Sequence, residues 1–156
     1  LGQGTTMCLY LPRHDEDVPW EEEDVFSLPP EPTGEGEVVL VIDDEPTIRM
    51  LIAEVLGEAG YVVIEAPDGP AGLRVLESNA RIDLLITDVG LPGGLNGRQV
   101  ADAARAARPH LKVLFITGYA ENAIIGRGRL EKGMHVLTKP FQMEALAERI
   151  RQIIEN

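Results

Sequence analysis

Five short runs of aliphatic and β-branched residues punctuate this chain: VVLVI at 38–42, YVVIE at 61–65, IDLLIT at 82–87, KVLFIT at 112–117 and HVLT at 135–138. Amphipathic segments follow them at 46–59, 69–78, 97–108, more weakly near 121–130, and at 142–154. Strands and helices in strict alternation predict an α/β fold, with a parallel sheet covered by helices on both faces. Five repeats give a five-stranded doubly wound sheet. In such a sheet, polar groups with a chemical task gather at the carboxyl ends of the strands, where the strand order reverses.

The predicted strand ends carry such groups. The first apolar run leads into Asp43-Asp44-Glu45, the third into Asp88, the fourth ends at Thr117-Gly118 and the fifth at Thr138-Lys139-Pro140. Each alone reads more readily as a helix cap, a turn residue, an ordinary strand end or a solvated cation. Four together on one edge point to a site. Carboxylates brought close raise one another's pKa unless a cation neutralises them, and a metal and Lys139 are the available counter-charges. Oxygen ligands from Asp43, Asp44 and Asp88 suit a hard ion such as Mg²⁺. The sequence has no cluster of His or Cys for a softer metal, and a lone Cys8 pairs with nothing in the chain.

Charge separates the chain into two parts. The formal net charge is -12, and residues 14–37 hold ten acidic side chains with no Lys or Arg. From Val38 onward, 13 basic and 16 acidic residues leave only -3. The acidic stretch also contains Pro19, Pro29, Pro30 and Pro32, so it reads as a linker at 14–36, with docking through Trp20, Val25 and Phe26 as the alternative. This balance argues against a nucleic-acid surface, which needs clustered Lys and Arg. The longest apolar run, Val38 to Ile42, falls far short of the ~20 residues of a membrane helix, and the expected location is cytoplasmic.

VVLVIDDEP, LLITDVGLPGG, VLFITGYA and VLTKPF resemble, in order and spacing, the four signature segments of two-component receiver domains. The resemblance covers about residues 37–155 and implies a flavodoxin-like sheet of order 2-1-3-4-5. It implies Asp88 as phospho-acceptor and Asp43, Asp44, Asp88 and the Gly90 backbone carbonyl as ligands of Mg²⁺ or Mn²⁺. Thr117 and Lys139 would contact the phosphoryl group, and the bond before Pro140 would be cis. The donor would be a phosphohistidine of a kinase or of a histidine phosphotransfer protein. Val136 stands where receivers commonly place a switching aromatic, and Tyr119 at a position that tunes hydrolysis. Gly126 and Gly128 weaken the segment expected as the fourth helix, so it is expected to be short or irregular.

The opening residues, LGQGTTMCLYLPR, resemble the end of a histidine-kinase ATP-binding domain, with its Gly-x-Gly-Thr box at Gly2, Gln3, Gly4 and Thr5. The expected organisation is therefore a kinase remnant at 1–13, a linker at 14–36 and a receiver at 37–156. The chain would be the receiver of a hybrid sensor histidine kinase: a phospho-acceptor, with the kinase activity in the parent protein. The rival readings are a free-standing response regulator and a small-molecule phosphatase, although the latter's usual Asp-x-Asp-x-Thr is replaced by Asp43-Asp44-Glu45-Pro46. His14, His110 and His135 lie in the linker, at a turn and at a strand start, none on the helix that a phosphorylated kinase histidine requires.

Overall fold

The computed structural model describes residues 34–118 and 130–156. The chain order is β1 (Val38–Ile42), α1 (Pro46–Glu58), β2 (Val62–Ala66), α2 (Gly69–Glu77), β3 (Leu84–Asp88) and α3 (Gly97–Ala107). β4 (Lys112–Thr117), β5 (Met134–Thr138) and a last helix, here α4 (Met143–Glu155), complete it. The five strands form one parallel sheet in the order β2-β1-β3-β4-β5, the flavodoxin-like order expected. The remnant at 1–13, the linker before Gly34 and most of the segment near 121–130 lie outside the described residues.

Because both faces of the sheet are covered, its central strands are apolar runs rather than alternating ones. On β1, Leu40 and Ile42 face α2 and α3, where they meet Leu85, Phe115, Val100 and Ala104. Val39 and Val41 face α1 and α4, where they meet Ile52, Leu56, Leu146 and Ile150. Each such buried side chain contributes about 1.5–3 kcal/mol. Local signals fix the helix starts. Pro46 opens α1, Asp68 accepts from Ala71 N at 2.7 Å to cap α2, and Asn96 with Gln99 forms a reciprocal capping box on α3.

β3 begins two residues later than the apolar run IDLLIT suggests. Asp83 is the reason: its backbone N–H donates to Val38 O at 2.8 Å, and its carboxylate accepts from Val38 N at 2.8 Å. It ties the start of β1 instead of extending the ladder. Close packing also requires two helical glycines. A Cβ on Gly72 would lie 2.1 Å from Ile42 Cδ1, and one on Gly97 would lie 2.0 Å from the Asp88 carbonyl oxygen. The start of α3 thus rests directly on the end of β3.

Candidate functional site

Register brings the strand-end residues to one level. Ile42 pairs with Thr87, so Asp43, just past β1, stands beside Asp88, the last residue of β3. Asp88 pairs with Ile116 and Thr117 with Thr138, which sets Thr117 and Lys139 next along the same edge. Carboxylate oxygens of Asp43, Asp44 and Asp88 all lie within 4.8 Å of one another. Asp43 and Asp88 are buried, whereas Asp44 is exposed at the mouth.

Asp88 is held at both oxygens. Its Oδ1 accepts from the Gly90 backbone N–H at 2.8 Å, and Lys139 Nζ lies 2.5 Å from its Oδ2. The same ammonium is 3.9 Å from Asp43 Oδ2. Asp43 Oδ1 accepts from Glu45 N at 2.8 Å, but its buried Oδ2 accepts no hydrogen bond from the described residues. Burial pushes the Asp43 carboxyl above its usual range. The Glu45 N–H and Lys139 oppose that rise, and the Asp88 and Asp44 charges add to it. A buried anionic oxygen without a hydrogen-bond donor, beside two more carboxylates, fits a divalent cation with a preference for oxygen.

Thr117 is buried, and its hydroxyl donates to its neighbour's carbonyl, Gly118 O, at 3.0 Å. The peptide bond between Lys139 and Pro140 is cis, and Lys139 N donates to Thr117 O at 2.8 Å. Val136 packs against the core on the α2 and α3 side of the sheet. Tyr119, Gly2, Gly4 and Thr5 lie outside the described residues. His135 is remote from this edge, and burial lowers its pKa, with Arg149 and Lys112 acting in the same direction.

Three contributors escaped sequence reasoning. Arg49 donates to the Asp43 carbonyl at 2.6 Å, Thr87 Oγ1 donates to the Asp88 carbonyl at 3.1 Å, and Gly97 leaves room for that carbonyl. An Arg one turn into the helix after Asp43-Asp44 is the only one of these that leaves a trace in sequence. Among the described residues, a cavity of about 530 Å³ lies elsewhere, among Glu37, Asp83, Arg108 and Lys112, and another of about 410 Å³ lies along α3.

Known proteins share this fold. Residues 39–151 match the family model for the response regulator receiver domain. The sensor kinase CckA of Brucella abortus is 28% identical over an alignment covering all of this chain and 17% of that protein. The chemotaxis protein CheY of Pseudomonas aeruginosa is 33% identical, covering 76% of this chain and 96% of that one. Among solved structures, the receiver domain of the hybrid histidine kinase CckA superposes with a TM-score of 0.64 at 36% identity, covering 75% of this chain and 98% of that one. With the family model matching most of its length, the chain belongs to the response regulator receiver domain family.

Proposed function

We propose that this chain is the phosphoryl-accepting receiver of a hybrid sensor histidine kinase, and that Asp88 accepts the phosphoryl group from a phosphohistidine in the presence of Mg²⁺. The observation that carries this reading is the Asp88 carboxylate, buried yet reachable at the sheet edge, with one oxygen on Gly90 N–H and the other on Lys139.

An Asp88 oxygen attacks phosphorus as the phosphorus–nitrogen bond of the donor breaks, leaving an aspartyl phosphate and a histidine. Lys139 moves from pairing the carboxylate to pairing the transferred group, so its charge is already in place when negative charge builds on the phosphoryl oxygens. Asp43, Asp44, Asp88 and the Gly90 carbonyl would hold the metal. When bound, a divalent cation neutralises the clustered carboxylates and the phosphoryl oxygens. The Thr117 hydroxyl exchanges its bond to Gly118 O for one to the new phosphoryl group, which biases the segment after Gly118.

The hybrid-kinase context is supported by the CckA alignment, which includes residues 1–37 as well as the receiver. Under this reading residues 1–13 belong to the ATP-binding domain, with Gly2, Gly4 and Thr5 in its Gly-rich box, and 14–36 form the linker. The donor is then the histidine-bearing domain of the parent kinase, or a histidine phosphotransfer protein, and the location is cytoplasmic. No helix among the described residues is long and apolar enough to cross a membrane. A free-standing regulator is the second reading, favoured by the near-complete coverage of CheY.

Transfer from a ³²P-labelled phosphohistidine kinase tests the function. Label should reach the wild-type chain with Mg²⁺, and should fail to do so with EDTA or in Asp88→Asn. Label that persists in Asp88→Asn would reject Asp88 as the acceptor.

A further inference from the structure

Arg49 stands at the end of the first turn of α1, and its side chain is only 16% exposed. One guanidinium nitrogen donates to the Asp43 carbonyl at 2.6 Å, while Nε lies 3.3 Å from Glu65 Oε2. Glu65 sits on β2 opposite Val41, so the guanidinium spans from the edge of the sheet to the first peptide beyond β1. That peptide joins Asp43 to Asp44. Because a peptide unit is planar, fixing the Asp43 carbonyl also fixes where the Asp44 Cα, from which that side chain starts, is placed. Two other bonds hold this turn, Asp43 N–H on Ala66 O at 3.3 Å and Glu45 N–H on Asp43 Oδ1 at 2.8 Å, but they act on the preceding peptide and on a side chain, not on the peptide between Asp43 and Asp44.

We propose that Arg49 is a positioning residue for the metal site: braced by Glu65, it sets the peptide from which the Asp43 and Asp44 carboxylates project. This rests on the reading of the acidic cluster as a cation site. Outer partners that orient metal ligands act by reducing the number of arrangements the ligands sample before binding. The sign of the effect separates this role from simple electrostatics. Removing a positive charge near a cation site should, by Coulomb's law alone, tighten binding. Removing a brace should weaken it.

The test is calorimetric titration of Mg²⁺ into the full chain, without any phosphoryl donor, for wild type, Arg49→Ala, Arg49→Lys and Glu65→Ala. Arg49→Ala should bind Mg²⁺ about tenfold more weakly. Arg49→Lys, which keeps the charge but cannot span both acceptors, should fall between, and Glu65→Ala should weaken binding by a smaller factor. Circular dichroism and melting curves of the metal-free proteins show whether each variant is folded at the titration temperature. A folded Arg49→Ala with unchanged or tighter Mg²⁺ binding, whatever its melting temperature, would overturn the proposal. Should Arg49→Ala not fold, unchanged affinity in both Arg49→Lys and Glu65→Ala would overturn it equally. A wild type that binds no Mg²⁺ would instead reject the metal reading beneath it.

Discussion

Lys139 Nζ lies 2.5 Å from Asp88 Oδ2, joining residues 51 apart in sequence through the alignment of β3, β4 and β5. That ammonium is also 3.9 Å from Asp43, so a single cation serves two buried carboxylates. Replacing it by Ala removes positive charge from both the resting site and the transfer step. Phosphotransfer to Lys139→Ala should slow by about 100-fold, the scale for losing one preorganised charge-stabilising donor. Mg²⁺ affinity should not fall, because a competing cation has gone. Single-turnover transfer and a Mg²⁺ titration check the two halves separately.

Asp43 is the least comfortable of the three acids: buried, flanked by Asp44 and Asp88, and with Oδ2 accepting no hydrogen bond from the described residues. Asp43→Asn keeps the shape and an acceptor for Glu45 N–H while removing the charge. Metal-free Asp43→Asn should melt a few degrees higher than wild type, and Mg²⁺ should no longer raise its melting temperature. Differential scanning calorimetry with EDTA and with Mg²⁺ reads both effects. A variant less stable than wild type in EDTA would show that the charge is not a burden.

The same group sets a pH dependence. Burial first, then the two neighbouring acids, raises the folded pKa of Asp43 above its unfolded value, so the native state holds the proton more tightly. Its stabilising contribution is full below the unfolded pKa and is lost as pH rises through the folded one. Metal-free protein should therefore lose stability from this group as pH climbs out of the carboxylate range. Mg²⁺ binds the ionised form, so the melting-temperature gap between Mg²⁺ and EDTA should widen from about pH 4 to about pH 7. It should be nearly flat in Asp43→Asn.

Gly97 controls the seat of α3 on β3. An added methyl at this position meets Thr87 Oγ1 at 2.7 Å and the Asp88 carbonyl at 2.0 Å, and the carbonyl, being backbone, cannot yield without moving the acceptor strand. Gly97→Ala should cost about 3 kcal/mol and lower phosphotransfer even at temperatures where the protein is folded. Chemical denaturation measures the first and transfer kinetics the second. Gly133→Ala, where a Cβ would meet nothing within 4 Å but φ is +87°, offers a backbone-strain control far from the site.

The sheet and its active edge were legible because each rests on local pattern. Runs such as VVLVI and KVLFIT specify buried parallel strands, and the polar residues that follow them have only one edge on which to gather. What stayed illegible depends on contacts between distant segments. Nothing in the composition of IDLLIT shows that Asp83 leaves the ladder to bind Val38 N, shortening β3 at its start. Arg49 shows in sequence only its place one turn into the helix after Asp43-Asp44; its partners appear once the fold brings Glu65 and the Asp43 carbonyl to either side of it. Gly97 similarly shows its purpose only once the Asp88 carbonyl is seen 2.0 Å from where its Cβ would stand.

If Asp88 itself carries the phosphoryl group, the modified residue can be located by chemistry specific to acyl phosphates. The chain, phosphorylated with Mg²⁺ present, is reduced with borohydride, which converts an aspartyl phosphate to homoserine, then digested and sequenced by mass spectrometry. Homoserine is expected at position 88, dependent on Mg²⁺, with none at 43 or 44. Homoserine at Asp43 or Asp44, or phosphate on a histidine with position 88 unchanged, would contradict Asp88 as the acceptor.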